Sequence, residues 1–308
     1  MKVKKEHLIL AVLIVVLSLY VYFRRQDRTQ YELPVLQEVP VSEIVKIQIA
    51  KAQGPMIALE RKDEGWVLLP EKYPADQGKV TVMLETLRNL TLSALISESK
   101  SYERYGLGKE DRISVKAWTG DGLKRDFEIG REAPSFQHTF VKIDGDGRVF
   151  HARENLKVRF DQSVDDLRDK SVLSLDPTAV DTIELHDGKT SLHLTRMQDP
   201  VGESAAQESW ESQGGQVEDA VVRELLSVLS NLKCRTFLYD QKKDDFRDPL
   251  YAVTLRGTKE HSLALYAKEE KNPNDYPALS SQNESPFLLP EHQAGRIMLS
   301  LERFFKPS

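Results

Sequence analysis

One order of sequence patterns occurs twice in this chain, and this repetition limits the fold more than any other feature. In each half, short alternating apolar stretches precede a tryptophan, Trp66 or Trp210, and apolar residues at helical spacing follow it. These helical residues are Val80, Met83, Leu84, Leu87 and Leu90 in the first half, and Val222, Leu225, Leu226, Leu229 and Leu232 in the second. The connections are hairpin-short, which favours antiparallel pairing. The sequence therefore predicts an α+β fold with two tandem repeats, each a mostly antiparallel sheet with two helices.

The two repeats set the predicted domain boundaries. We assign the first repeat to residues 43–168 and the second to residues 179–308, with a short link over residues 169–178. Residues 29–42 contain two prolines and are assigned as a linker. Each repeat ends on an amphipathic stretch that predicts its second helix. The apolar residues of these stretches are Leu156, Phe160, Val164 and Leu167 in the first repeat, and Ile297, Leu301 and Phe304 in the second.

An apolar run from Leu8 to Phe23 lies between two groups of basic residues near the start of the chain. A helix over this run would span about 24 Å, and flanking Lys and Arg side chains can reach the edges of a hydrocarbon core of about 30 Å. A cleaved signal peptide is the alternative, but small residues do not follow the run. We therefore predict a membrane anchor within residues 1–28 and C-terminal domains outside the cytoplasm, on the inner membrane. The residues assigned to the anchor are Leu8, Leu13, Leu17 and Phe23.

The charge and the cysteine content argue against a nucleic-acid partner and against disulfide bonds or a cysteine-based metal site. The formal net charge is −5 and the chain has no basic stripe, so it is a poor match for a nucleic-acid partner. Cys234 is the only cysteine, which excludes an internal disulfide framework and a cysteine-based zinc site.

Candidate catalytic residues are few, and each has a simpler structural interpretation. Residues 202–206 are one residue short of a nucleophile-elbow pattern around Ser204, and lie in a polar stretch rather than between a strand and a helix. Residues 144–147 are typical of a hairpin turn rather than a calcium loop. The seven histidines are scattered along the chain and lack metal-ligand spacing; among them are His138, His151, His186 and His193. We predict no catalytic residue, no cofactor and no metal site.

Tyr102, Arg104 and Tyr105 form a small aromatic and basic cluster. Such a cluster can contact a partner protein, and it can also close a turn and pack on the next strand. Trp66 and Trp210 occur in both halves, which favours a role in core packing.

Several motifs resemble those of a bacterial family called domain of unknown function 4340 (DUF4340). They are Gly65-Trp66, Leu84-Glu85-Thr86-Leu87, Tyr105-Gly106-Leu107 and Leu167-Arg168-Asp169-Lys170. The resemblance covers most of residues 40–180 and, more weakly, the second half, where Pro249 replaces the motif glycine. It implies a single-pass envelope protein that is often encoded beside an ABC transporter of the gliding-motility type and assists it. It supplies no catalytic residue.

These observations predict a non-enzymatic accessory subunit of an ABC-type export system that acts by protein–protein contact. The alternative is a stand-alone periplasmic module that binds a cell-envelope glycan or another ligand. A hydrolase has only the stretch around Ser204 in its favour.

Overall fold

The computed structural model describes residues 12–21, 31–197 and 209–306, and the chain divides into two compact units after Leu167. The first unit is built on a nine-stranded antiparallel sheet in the order β4-β3-β2-β1-β6-β7-β8-β9-β5. Its strands are β1 (Ile44–Lys51), β2 (Ile57–Lys62), β3 (Gly65–Leu69), β4 (Tyr73–Pro74), β5 (Leu92–Ser97), β6 (Ile113–Thr119), β7 (Gly122–Glu132), β8 (Thr139–Ile143) and β9 (Val149–Ala152). Its helices are α1 (residues 12–21), α2 (Gln77–Arg88), α3 (Lys157–Phe160) and α4 (Val164–Leu167).

The second unit contains a nine-stranded antiparallel sheet and a separate two-stranded sheet. The strands are β10 (Ser171–Ser174), β11 (Val180–His186), β12 (Ser191–Met197), β13 (Ser209–Ser212), β14 (Gly215–Gln216), β15 (Asn231–Lys233), β16 (Thr236–Phe237), β17 (Tyr251–Gly257), β18 (Glu260–Leu265), β19 (Asp275–Ser280) and β20 (Asn283–Pro290). The helices are α5 (Asp219–Leu229) and α6 (Glu291–Ile297). The large sheet has the order β14-β13-β12-β11-β17-β18-β19-β20-β16, and β10 pairs with β15. The chain therefore passes through both nine-stranded sheets in the same sequence of neighbours.

Helix α2 packs the main core of the first unit. Its apolar face is buried because Val80, Met83, Leu84 and Leu87 recur at helical spacing. The Asp76 carboxylate accepts a hydrogen bond from the Lys79 backbone N–H at 3.0 Å, which caps the first turn. In the second unit, α5 buries the equivalent spacing of Val222, Leu225, Leu226 and Leu229.

Arg125 caps the C-terminal end of α2. The side chain is only 7% exposed, and its Nε donates to the Leu87 carbonyl oxygen at 2.9 Å. Its guanidinium also donates to the carbonyl oxygens of Arg88 and Gln37. The last carbonyls of a helix lack partners within the helix, and the helix dipole favours a cation there. Arg125 therefore joins the end of α2 to the segment that precedes β1.

The predicted membrane anchor is wrong. The described part of helix α1, residues 12–21, covers about 15 Å, half of a hydrocarbon core of about 30 Å. Leu13 and Leu17 lie on it with exposed side chains, whereas Leu8 and Phe23 lie outside the described residues. Over residues 12–21, 31–197 and 209–306, no helix combines the length and the apolar character that a membrane crossing requires. The predictions of a single-pass protein and of inner-membrane localisation are corrected accordingly.

The predicted fold class is also wrong. Across the described parts of the chain, three antiparallel sheets dominate. Neither unit consists of one sheet with two helices as predicted, although the two large sheets share an order of strands. The first unit has four helices, and the second adds the β10–β15 sheet. One physical reason lies in the amphipathic stretch over residues 156–167. It breaks into the short helices α3 and α4 because Ser163 interrupts it, and the Ser163 hydroxyl accepts a hydrogen bond from the Asp166 N–H at 3.0 Å.

Candidate contact surface

Strands β8 and β9 present apolar side chains on both faces of the first sheet. Val141 and Phe150 are opposite each other and belong to the main core. Phe140 and Val149 point to the other face, since side chains alternate along a strand, and form a second, smaller cluster with Leu107. This part of the sheet is therefore covered on its outer face by another segment of the chain.

The covering segment is the 3-10 helix Tyr102–Tyr105. The Tyr102 hydroxyl donates to the Gly147 carbonyl oxygen at 3.0 Å, and the Tyr105 ring lies 5.0 Å from the Phe140 ring. Both tyrosines are half-buried, whereas Arg104 is exposed. The structure thus places the two tyrosines in packing contacts and leaves Arg104 in solvent. A partner contact by Tyr102, Arg104 and Tyr105 stays a prediction.

The motif Tyr105-Gly106-Leu107 is explained by a close approach of two backbone segments. Gly106 follows the 3-10 helix with a φ of +65°, in the left-handed region that favours glycine. A Cβ atom at Gly106 would lie 2.8 Å from the backbone N of Arg131, and one at Gly130 would overlap the Tyr105 carbonyl oxygen. The two glycines therefore allow the 3-10 helix to lie directly on β7.

His138 and His151 are neighbours on the same outer face. Their ring centroids are 5.6 Å apart with planes inclined by 31°, and the Phe140 ring lies 4.7 Å from His151. Burial lowers the pKa of His151, and the nearby His138 lowers it further. The His151 Nε2 atom is buried and has no hydrogen-bond partner in the described structure. These rings contribute to an aromatic surface in which His151 favours the neutral form.

The other residues considered from the sequence are not brought together with this pair. The His186 Nδ1 atom lies 3.0 Å from the Thr190 carbonyl oxygen, and His193 is exposed on β12. Ser204 and residues 202–206 as a whole lie outside the described residues. In the part of the chain that is described, no group of three or more His, Cys, Asp or Glu side chains could hold a metal ion.

An exposed phenylalanine lies in the loop between β7 and β8. Phe136 is 71% exposed and has a φ of +57°, which is rare for a bulky residue. Its backbone N–H donates to the Ala133 carbonyl oxygen at 2.8 Å, which fixes the turn. The Asn155 amide bridges the Glu132 carboxylate at 2.8 Å and the Phe136 carbonyl oxygen at 3.4 Å. The loop is therefore held by hydrogen bonds in a conformation that presents the ring to solvent.

Val158 on α3 extends this apolar area, with 66% of its surface exposed. A shallow depression of about 680 Å³ joins the two residues. We call it the Phe136 surface; it is lined by Arg131, Glu132, Phe136, Lys157, Val158, Asp161 and Gln162. Sequence reasoning missed this surface. The available signal was a phenylalanine in the otherwise polar stretch Pro134-Ser135-Phe136-Gln137.

The motif Leu167-Arg168-Asp169-Lys170 has structural contacts in both units. The Leu167 carbonyl oxygen accepts from the Asp76 N–H at 2.8 Å, beside the start of α2. Arg168 is buried in the second unit, with its guanidinium carbon 3.4 Å from the centre of the Phe237 ring. Its Nη2 donates to the Ser285 hydroxyl at 3.1 Å. This motif is therefore a packing element rather than a set of reactive groups.

The fold and this surface define a β-rich protein with structural motifs and an exposed phenylalanine beside a shallow depression. A family model described as Domain of unknown function (DUF4340) matches residues 66–249, more than half of the chain. The chain belongs to this family, which confirms the predicted resemblance. No curated protein and no solved structure matches the chain.

Proposed function

We propose that this chain is a non-enzymatic accessory protein of an ABC-type export system, and that it acts by protein–protein contact through the Phe136 surface. The observation that carries the proposal is the exposed Phe136 ring at positive φ. An unfavourable backbone conformation persists only where surrounding contacts impose it, and such conformations cluster at functional sites. A loop that presents a phenylalanine to water at this cost is best explained by a partner that covers the ring.

The composition of the surface supports a protein partner. Phe136 and Val158 form an apolar centre, and side chains of both charges surround them. The positive side chains are Arg131 and Lys157, and the negative ones are Glu132 and Asp161. An apolar centre with a polar rim is the usual layout of a protein–protein interface, and aromatic residues at such centres contribute much of the binding energy.

The nearby ionisable pair supports binding rather than catalysis. Burial lowers the pKa of His151, and its ring lies beside those of Phe140 and His138. A general base has to reach the proton of a substrate, whereas the His151 Nε2 atom is buried. The choice of an export system as partner depends on what the motifs of the DUF4340 resemblance imply, since the matching family model is itself described only as a domain of unknown function.

The test is site-specific photocrosslinking in the native cells. A photoreactive phenylalanine analogue replaces Phe136 in one variant and Leu123, which is also exposed and apolar, in a control. We expect the first variant to form a covalent adduct with a subunit of an ABC-type transporter, and the control to form none. Adducts with unrelated proteins only, or equal transporter adducts from both positions, would contradict the proposal.

A further inference from the structure

In the second unit, β13 covers only part of strand β12. The two strands pair through Thr195, Arg196 and Met197. The half of β12 from Ser191 to Leu194 pairs with β11 on one side, and among the described strands nothing pairs with its other side. Alternate residues of a strand direct their N–H and C=O groups to each side, so this half offers unpaired backbone groups at a sheet edge.

The first unit shows what a covered edge looks like at the same place in the strand order. Strand β2 lies between β1 and β3, as β12 lies between β11 and β13. There, β3 pairs with β2 at five positions, from Ala58 to Lys62. In the second unit β13 has four residues and turns back at Gln213 and Gly214 into β14, so residues 191–194 of β12 have no neighbouring strand on this side among the described residues.

The open edge forms one wall of a notch of about 830 Å³, within the range of about 300–1,000 Å³ that is usual for ligand sites. The residues that line the notch include Ser191, His193, Glu211, Leu301, Glu302 and Phe305. The Phe305 ring lies against the turn, where a Cβ atom at Gly214 would be 2.8 Å from the ring. A glycine at this position lets the ring form an apolar part of the wall.

We propose that this notch binds an extended, basic peptide segment, which adds as a strand to the free edge of β12. Alternate residues of the segment 191–194 supply backbone hydrogen bonds for strand addition, and the notch beside the edge receives alternate side chains of the peptide. Phe305 and Leu301 provide apolar contacts, and the carboxylates of Glu211 and Glu302 attract lysine or arginine. This site is in the second unit and is independent of the Phe136 surface.

The probe is a fluorescein-labelled peptide of eight residues that alternates lysine and valine, and its binding to the full chain is measured by fluorescence anisotropy. We expect saturable binding. The same peptide with methyl groups on alternate backbone nitrogens keeps its charge and loses the hydrogen bonds of strand addition, so it should bind at least about tenfold more weakly, which is about 1.4 kcal/mol. Equal affinity of the two peptides would overturn the proposal, as would an absence of saturable binding.

Two variants locate the peptide. The double change Glu211→Lys and Glu302→Lys alters exposed side chains, so the fold should persist, and binding should weaken at least about tenfold. The control Glu64→Lys makes the same type of change in an exposed turn of the first unit and should leave binding unchanged. Unchanged binding in the double variant would overturn the assignment to the notch.

Displacement of the peptide by a hexamer of N-acetylglucosamine would overturn the proposal of a peptide site in favour of a glycan site. Phe136→Gly should not alter peptide binding, which separates this inference from the proposed function.

Discussion

Replacement of Arg125 by methionine should destabilise the first unit strongly. Methionine removes the guanidinium but keeps an apolar side chain, so the carbonyl oxygens of Leu87, Arg88 and Gln37 lose their shared donor. A buried carbonyl without a partner costs about 1–3 kcal/mol. Part of this loss is offset because methionine does not have to bury a charge. We expect a net loss of about 2–4 kcal/mol in the free energy of unfolding.

A control separates this role from that of an ordinary surface arginine. The Arg112 guanidinium lies 3.1 Å from the Glu128 carboxylate, but its side chain is about one-third exposed, and Glu128 keeps a second cationic partner in Lys142 at 2.6 Å when Arg112 is replaced. Exposed ion pairs contribute only about 0–1 kcal/mol, so Arg112→Met should have a small effect although it breaks a pair of opposite charges. Comparison of the two variants therefore tests whether burial and contacts with carbonyl oxygens, rather than a carboxylate partner, determine how much an arginine contributes to the free energy of unfolding.

The assay is urea unfolding followed by tryptophan fluorescence. The chain has three tryptophans, and in a Trp210→Phe background the two that remain, Trp66 and Trp118, both report on the first unit. A shift of the unfolding midpoint to lower urea without a change of slope would measure the loss directly. A loss below about 0.5 kcal/mol in Arg125→Met would refute the reasoning, because it would show that the carbonyls find other partners.

Three further predictions concern the core, the backbone contact and the histidine pair. Leu229→Ala on α5 should cost about 2–5 kcal/mol in unfolding experiments, since Leu229 is fully buried; a negligible change would contradict its place in the core. Gly130→Ala should lower the thermal midpoint by several degrees because the Cβ atom overlaps the Tyr105 carbonyl oxygen, and an unchanged midpoint would show that the 3-10 helix can move. His151 has a lowered pKa in the folded state, so the unfolded chain binds the proton more readily, and stability should fall as the pH drops below about 6.5. His151→Phe should reduce this acid-side loss in pH-dependent melting curves, and an identical pH profile would contradict the assignment.

The periodic spacing of apolar residues correctly predicted those helices that bury one continuous face. The apolar spacing of Val80, Met83, Leu84 and Leu87 is buried on α2, because a helix of twelve residues needs only a continuous stripe and an N-cap. The stretch over residues 156–167 shows the same spacing but forms two short helices around Ser163. The spacing of apolar residues alone does not reveal a side-chain hydrogen bond that competes with the helix.

The candidate surface could not be predicted, because it depends on contacts between distant parts of the chain. Phe136 is presented by a turn that Asn155 holds from nineteen positions further along. Val158 comes from a different element, α3. The cluster of Tyr102, Arg104 and Tyr105 was visible in the sequence, but the packing of both tyrosines became apparent only with the second face of β8. Apolar character alone, on which the predicted anchor depended, does not fix the length of a helix.

The most direct test of the proposed function compares two glycine substitutions at positive φ. Phe136→Gly and Lys72→Gly both place glycine at exposed positions where φ is near +60°, so each should relieve about 1–2 kcal/mol of backbone cost and neither should lower the thermal midpoint. Their affinities are measured for the transporter subunit that crosslinks to residue 136. The account predicts that Phe136→Gly binds about 30-fold more weakly or worse, a loss of about 2 kcal/mol, whereas Lys72→Gly binds like the unchanged chain. Equal affinity of the two variants would contradict it.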